Sequence, residues 1–365
     1  MTCLETSRGE LVKACLSGAW RNPPFPSLEI SQTQLDEVTP LLKGSSAGAL
    51  GWWRVSRTKF GHSASGGALR EAYHFHSVQS VMHQDRIRKV VRLFREASIE
   101  LVLAKGWLAA ALYPTAPLRP YHDIDICVKP EDFSAAQNLL SSHAQDCWVD
   151  LHQHFWELDD RNLGEVFARS SLVSLGNEQI RVMGPEDHLA LLAIHLLKHG
   201  AWRPLWLCDI GAAIESLPKD FDWNVCLGRN RTKAHWITTA IGLAHHLLGA
   251  KIDSLPVTRQ AMEVPSWLLH SVLRQWEHPF PQMQSPGIHP VPMATYIRRP
   301  KGIMKAMKSR WPNPIVATIS VNGKFTGFPR LPYQVGNWVQ RVGRLIYHPR
   351  AVNCLERAPK ELGNT

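Results

Sequence analysis

The spacing of apolar residues divides the chain into helical regions and one region that contains strands. Apolar positions three and four apart predict helices in the first 95 residues, most clearly over 68–94. Short apolar runs such as 101–104 predict strands between residues 96 and 183, and helical spacing returns over 184–276. The pattern therefore predicts an α+β fold in which a small mixed β-sheet is flanked by helical regions.

Turn and proline signals divide the chain further. Residues 172–175 and 179–183 flank a Gly-Asn turn and predict a hairpin within the sheet. Five prolines in the 21 residues from Glu277 predict a semi-rigid linker. The predicted regions are an N-terminal helical region (1–95), an α/β core (96–183), a second helical region (184–276), a proline-rich linker (277–297) and a basic C-terminal segment (298–365).

The positive charge of the chain is concentrated near its C-terminal end. The formal net charge of the chain is +10. From Ala294 onward, 13 Lys and Arg stand against two Glu, so this part has a net charge of +11 and the rest of the chain has −1. Such a segment could bind a polyanion such as RNA, or an anionic membrane surface. The alternative is a solvated basic face, and the helical spacing of Trp338, Val339 and Val342 favours a helix packed on a core.

Several classes of protein are excluded by composition. Hydrophobic residues make up 44% of the chain and charged residues 20%, which is typical of a soluble globular protein. No run of eighteen apolar residues predicts a membrane helix, and the first residues lack a signal-peptide core. The seven cysteines form no close C-x-x-C pair, which is typical of a reducing compartment. We therefore expect a cytoplasmic protein.

Three carboxylates stand out in the α/β region. Asp123 and Asp125 are two apart in a predicted strand, so their side chains share one face while Ile124 and Ile126 point into a core. Asp150 lies in a later run of strand character and could complete a triad on a neighbouring strand. Closely spaced carboxylates repel unless a cation lies between them, and oxygen ligands of this kind suit Mg²⁺.

A Lys-Gly pair precedes these carboxylates by one short helix. Gly106 would let a phosphate approach the backbone at the start of that helix, and Lys105 adds a positive charge. An Asp-x-Asp pair alone usually marks a solvated strand end. The apolar residues around the pair make two unpaired carboxylates costly, which favours a metal site.

The helical region that follows contains histidines on one face. His188, His195 and His199 recur at intervals of seven and four, a spacing that could suit zinc. The residue after His195 is Leu196, however, so the glutamate that a metalloprotease helix needs as general base is absent. A structural role or a place in a substrate cleft is the preferred interpretation.

These motifs, taken in order, resemble a known family. The segments LVLAKGWLAAALYP, HDIDICVKPED, VDLH and MGPEDHLALLAIHLLKHGAWRPLWLCDI are similar to those of uncharacterised bacterial nucleotidyltransferases within the DNA polymerase β superfamily. The resemblance covers most of residues 80–250 and implies a nucleotidyltransferase core. One departure is that Lys105-Gly106 replaces the Gly-Ser or Gly-Gly of the wider superfamily.

The resemblance implies a role for each candidate residue. The three aspartates would be catalytic and bind Mg²⁺ or Mn²⁺, and His152, His195 and Asp209 would contact these ligands and hold them in position. The nucleotide-binding candidates are Lys105, Gly106, Arg119, Lys198 and Arg203. The alternative for Lys198 and Arg203 is that they form a solvated basic helix end.

The predicted function is metal-dependent transfer of an NMP from an NTP such as ATP to an acceptor, with release of pyrophosphate. The acceptor could be a small molecule, a peptide, a protein or RNA, because a fold does not choose among them. Two alternatives remain. The chain could be a nucleotide-binding regulator without turnover, or a nucleic-acid-binding protein that uses its basic C-terminal segment.

Overall fold

A computed structural model describes residues 6–280 and 311–347 of the chain. Helices precede, interrupt and follow a single five-stranded sheet in the described part. The helices are α1 (Arg8–Leu16), α2 (Gln32–Gly44), α3 (Gly48–Val55), α4 (Ala64–Glu96), α5 (Gly106–Ala110), α6 (Phe133–His143), α7 (Leu163–Ala168), α8 (Pro185–Lys198), α9 (Pro204–Glu215), α10 (Trp223–Leu227), α11 (Arg231–Leu248), α12 (Thr258–Met262), α13 (Ser266–Trp276), α14 (Pro314–Ser320) and α15 (Leu331–Tyr347).

The sheet is mixed, with the strand order β3-β2-β1-β5-β4. Strand β1 is antiparallel to β2 and parallel to β5, whereas β2 and β3 are parallel. The predicted hairpin is present as β4 and β5, which are antiparallel. The strands are β1 (Leu101–Leu103), β2 (Ile124–Val128), β3 (Val149–His152), β4 (Ser171–Leu175) and β5 (Glu178–Val182).

Alternation along β1 and β2 assigns the two faces of the sheet to two different cores. Ile124 and Ile126 lie with Leu101 and Leu103 in a core that also contains residues of α4 and α6. The alternate positions of these strands face the larger core, which contains α8, α9 and α11. Because Asp125 lies on this second face, it points toward the helices that follow the sheet.

Helix boundaries follow the chemistry of the chain. Ser31 and Gln34 form a capping box at the start of α2. Helix α8 begins with Pro185, followed by two acidic residues that suit the positive end of a helix. One of these, Asp187, is fully buried and accepts hydrogen bonds from Arg161 and Arg169, which ties the end of the mixed region to the second helical region.

The predicted fold class is confirmed. Helix α4 ends at Glu96, next to the predicted boundary of the N-terminal region, and its last turns pack in the core on one face of the sheet. Small residues at 44–51 would by themselves predict a loop, but α3 begins within this stretch at Gly48. Residues 281–297 of the predicted linker lie outside the described residues.

The predicted C-terminal helix exists as α15, but the prediction that Trp338 and Val339 face a core is wrong. Trp338 and Val339 do not pack on a core, because both are exposed. Within residues 331–340 of α15, the buried side chain is polar: Asn337 donates to the hydroxyl of Ser320, and the neighbouring Gln334 donates to the carbonyl of Pro312. Apolar spacing predicted the helix correctly but could not say which side the protein covers.

The cysteines and the helices agree with two predictions from composition. Each described cysteine is buried and carries a free thiol. No described helix is both long enough and apolar enough to cross a membrane.

Candidate active site

Two parallel strands place Asp125 and Asp150 side by side. Asp125 is the second residue of β2 and pairs in register with Asp150 on β3. The two side chains project from the same face, because paired residues of neighbouring strands share the orientation set by the pleat. The sequence predicted Asp150 on a strand next to Asp125, and the register of β2 and β3 confirms this.

His152 completes a group of three side chains that could bind a metal ion. It lies two residues after Asp150 on the same face of β3, with Nε2 3.2 Å from Oδ2 of Asp150 and 3.5 Å from Oδ1 of Asp125. The donor atoms of these three residues all lie within 4.8 Å of one another. Burial opposes protonation of His152, but the two carboxylates outweigh it and raise its pKa to about 9.

Asp123 lies just before β2 and lines the same space. Burial, and then the negative charge of Asp125, raise the pKa of Asp123 above its ordinary value. The pKa of Asp125 is lowered, because burial is outweighed by His152 and Lys105. The pKa values of these two carboxyl groups are therefore shifted in opposite directions, and a bound cation would stabilise the ionised form of both.

Lys105 lies directly against the carboxylates. Its Nζ donates to Oδ1 of Asp125 over 2.8 Å; the side chain of Asp125 is buried and that of Lys105 is partly buried. The backbone of Lys105 has φ 44° and ψ −128°, a region that residues with a side chain rarely adopt. This strained turn between β1 and α5 brings the ammonium group back over the strand that carries Asp125.

Gly106 follows in a crowded position. A Cβ there would lie 3.3 Å from the carbonyl oxygen of Asp123, so a larger residue would press on the backbone next to the carboxylates. Helix α5 is only five residues long, and its N-cap makes no side-chain hydrogen bond. The short helix contributes little dipole, so the charge of Lys105 is the stronger feature for a phosphate.

A cavity of about 530 Å³ opens over these side chains. Its floor is the strand edge with the carboxylates, and its opposite wall is formed by α8 and the start of α9. Ten predicted residues line it: Lys105, Gly106, Arg119, Asp123, Asp125, Asp150, His152, His195, Lys198 and Arg203. The volume is within the usual range for small-molecule sites.

Arg119 and Asp209 form a buried ion pair at the back of this cavity. Nη2 of Arg119 lies 2.7 Å from Oδ2 of Asp209, and Nε lies 3.1 Å from both carboxylate oxygens. The hydroxyl of Tyr113 donates to the same carboxylate over 2.8 Å. Asp209 does not line the cavity, so its contact is with Arg119, whose fork it holds in a fixed orientation.

Arg203 is the cation of this cavity with the fewest acidic neighbours. Within the described residues it has no salt bridge, and its guanidinium donates to the carbonyl of Ser45 and to the hydroxyl of Ser46. Burial and the nearby charge of Arg119 lower the pKa of Arg203 to about 10. A guanidinium in this environment would gain most from a bound anion.

Lys198 and His195 reach the cavity from α8 and share one carboxylate. Nζ of Lys198 lies 3.3 Å from Oε1 of Glu157, and Nδ1 of His195 lies 3.5 Å from the same atom. The ring of His195 also packs against His199 and Trp206, with centroids 4.5 Å and 4.8 Å away. The described residues offer no third ligand that would join these histidines in a metal site.

Several residues of the cavity carried no assigned role in the sequence. Glu157 and Trp156 lie on a short segment after β3, far in sequence from α8, and no local spacing marked them. His122 and Tyr121 precede Asp123 directly, so their position beside a candidate ligand was the available signal. These residues line the cavity together with His154, Phe155, Leu192, His199 and Trp206.

The arrangement can bind a polyanion beside a cation. Three carboxylates gather at one edge, and Lys105, Arg119, Lys198 and Arg203 surround the same volume. Carboxylates would hold a divalent metal, while the basic groups would hold phosphate oxygens.

Comparison with known proteins identifies a similar family. The family model described as "Uncharacterised nucleotidyltransferase" matches residues 36–148 and 142–249, which together span more than half of the chain. No curated protein and no solved structure gives a significant match.

Proposed function

We propose that this chain, which belongs to the family described as uncharacterised nucleotidyltransferases, transfers an NMP from an NTP to an acceptor in a metal-dependent reaction. The acceptor would attack the α-phosphorus, the bond to the β-phosphate oxygen would break, and pyrophosphate would leave. This is the reaction type of the DNA polymerase β superfamily, to which the motifs of the chain are similar.

The observation that carries this proposal is the register of β2 and β3. It places Asp125 beside Asp150, with Asp123 at the mouth of the same cavity. Two acidic strands next to a basic wall are what a reaction on a metal-bound triphosphate requires.

The donor set fits Mg²⁺ or Mn²⁺. Asp125, Asp150 and His152 have ligand atoms within 4.8 Å of one another, and Asp123, which lies outside that group, offers a further carboxylate from the lining of the same cavity. When bound, the metal would neutralise the phosphates and lower the pKa of the acceptor hydroxyl. A histidine in the set is more usual with Mn²⁺ than with Mg²⁺, so both ions need to be tested.

The residues of the chain would bind and orient the reactants. Lys105, Lys198 and Arg203 would hold the triphosphate, and Arg119, fixed by Asp209, would present its remaining N–H toward the cavity. Asp150 has 53% of its side chain exposed and would accept the proton of the acceptor hydroxyl.

The test is the transfer of label from each α-labelled NTP, with Mg²⁺ or Mn²⁺ and cell extract. We expect one macromolecular or small-molecule fraction to take up label, and the variant Asp123→Ala with Asp125→Ala to take up none. The matched control is Asp220→Ala with Asp253→Ala, which removes two exposed carboxylates away from the cavity and should retain transfer.

Two results would contradict the proposal. Transfer retained by the Asp123 and Asp125 double variant would remove the carboxylates from the reaction. NTP binding by calorimetry without release of pyrophosphate, in the presence of all candidate acceptor fractions, would indicate a nucleotide-binding regulator.

A further inference from the structure

The middle of α4 exposes apolar side chains in a row. Phe75, Val78, Val81 and Met82 are 61%, 62%, 67% and 50% exposed, on a helix whose other parts pack well. Single exposed apolar residues are common on protein surfaces, but a contiguous patch usually marks a binding surface. These four residues are called the α4 stripe below.

The opposite side of the same segment is polar and faces the protein. Between Leu69 and Ile87 the residues that α4 buries are Ser80 and His83. His76, Gln79 and His83 each have a buried side-chain atom without a hydrogen-bond partner in the described part of the chain. This segment therefore presents its apolar side to solvent and its polar side to the interior, the reverse of an ordinary surface helix.

The stripe has the spacing of a helix-packing seam. The positions 75, 78 and 82 are three and four apart, and the same alternation continues outward to Glu71, Asp85 and Lys89. Residues with this spacing lie along one side of a helix and can interlock with a second helix. The seam is apolar in its centre and charged at its two ends.

We propose that the α4 stripe is the contact through which two copies of this chain form a dimer, with their α4 helices packed antiparallel. A two-fold contact uses the same surface on both copies, so each seam position must suit its own counterpart. With the two-fold axis crossing the seam at the level of residue 80, position 78 meets position 82 of the other copy, since each is two residues from that level. Val78 then packs on the Met82 of the second copy.

The charges at the ends of the seam agree with this pairing. Glu71 and Lys89 are each nine residues from position 80, so an antiparallel pair places the exposed Glu71 of one seam beside Lys89 of the other, whose Nζ also lies 2.9 Å from Oδ1 of Asp146 in its own copy. Parallel pairing would instead place Glu71 beside Glu71 and Lys89 beside Lys89. The charge pattern therefore favours a second, antiparallel copy as the occupant.

Trp148 enlarges the apolar surface at one end. It is 60% exposed, and the guanidinium of Arg86 lies 5.7 Å from its ring centroid. Arg86 follows Asp85, the polar seam position that would meet Phe75 of the second copy, so Trp148 lies at that end of the seam.

The test is the mass of the full chain by sedimentation velocity and light scattering across a range of concentrations. We expect a dimer for the unchanged protein. Val78→Asp should raise the dissociation constant of the dimer by about 100-fold, because it places an unpaired charge at the centre of the contact. The position is exposed in one copy, so the circular dichroism spectrum should not change.

A matched control uses the same substitution on another exposed helix. Val335 on α15 is 44% exposed, and Val335→Asp should leave the dimer unchanged. Equal loss of dimer in both variants would overturn the proposal, as would an unchanged protein that is monomeric at all concentrations.

Charge reversal tests the orientation of the helices. Glu71→Lys alone and Lys89→Glu alone should each weaken the dimer by about tenfold, and the two together should restore it, since the opposite charges meet again. A double variant weaker than either single variant would exclude the antiparallel pairing.

Discussion

Two ion pairs near the cavity differ in how many contacts hold their partners. Arg119 makes three contacts with Asp209, and Tyr113 adds a fourth contact to the same carboxylate. Lys105 makes a single hydrogen bond to Asp125, and both residues line the cavity. Arg119 and Asp209, called the closed pair below, satisfy each other's charges. Lys105 and Asp125, called the accessible pair, remain within reach of a ligand in the cavity.

This difference indicates a structural role for the pair of Arg119 and Asp209 and a functional role for the pair of Lys105 and Asp125. Asp209 does not line the cavity, so Arg119 balances its negative charge and a ligand in the cavity would not contact it. Asp125 has two cationic neighbours, Lys105 and His152, which a divalent metal could replace. A buried carboxylate with replaceable partners is the better candidate for a metal ligand.

The largest effect should come from the accessible pair. We expect Asp125→Asn to reduce NMP transfer by on the order of 10³-fold or more, about 4 kcal/mol of activation free energy. The side chain keeps its shape but loses the charge that would bind the metal. Initial rates of label transfer at saturating NTP measure this. A variant within threefold of the unchanged protein would show that Asp125 is structural, like Asp209.

The closed pair should matter for stability instead. Asp209→Ala leaves Arg119 buried without its counter-charge, and we expect the free energy of unfolding to fall by about 3–5 kcal/mol. Chemical denaturation measures the change.

Removing both charges of the closed pair is the control. Arg119→Met combined with Asp209→Leu should be less destabilising than Asp209→Ala, because no buried charge is left unpaired. Equal loss in the two variants would mean that packing around Tyr113, and not the ion pair, carries the stability.

A smaller effect sharpens the same comparison. Lys105→Met removes a positive charge that competes with a metal for Asp125, so we expect Mn²⁺ to bind about tenfold more tightly in calorimetry without nucleotide. Arg119→Met, whose charge is balanced by Asp209, should leave Mn²⁺ affinity within about twofold if it folds. Weaker Mn²⁺ binding by the Lys105 variant would contradict the assignment of Asp125 as a ligand.

Local pattern predicted the parts of the cavity that lie on one strand or one turn. The two-residue spacing of Asp123 and Asp125 determines which face they share, and Ile124 and Ile126 pack in a core as expected. The contact between Arg119 and Asp209 joins residues 90 positions apart, and no local period encodes such a pairing. Long-range ion pairs depend on how whole elements pack.

Helices show the same limit in another form. The spacing of apolar residues over 68–94 predicted α4, yet Phe75 and Val78 on that helix face solvent. A helical period identifies an apolar side but not what covers it. In the middle of α4 and over residues 331–340 of α15, the buried side chains are polar, so a hydrophobic pattern read alone does not identify the covered side there.

The helical wall of the cavity provides the smallest of these effects, through Glu157. Burial alone would raise the pKa of Glu157, but the hydrogen bond from His195 and the charge of Lys198 outweigh it and hold that pKa well below its ordinary value of 4.5. A carboxyl group with a lowered pKa stabilises the fold above pH 4.5, and the contribution is lost as the pH falls below that value.

Glu157→Gln should therefore lower the free energy of unfolding by about 1–2 kcal/mol at pH 7, and the difference from the unchanged protein should shrink as the pH falls below 4.5. Denaturation curves between pH 3 and pH 7 measure it, with Glu263→Gln as a control at an exposed position. A difference that stays constant over this range would mean that Glu157 acts through its shape, because a contribution from its ionised carboxylate must fade as that group is protonated. In that case the helical wall would resemble the closed pair of Arg119 and Asp209 more than the replaceable one at Asp125.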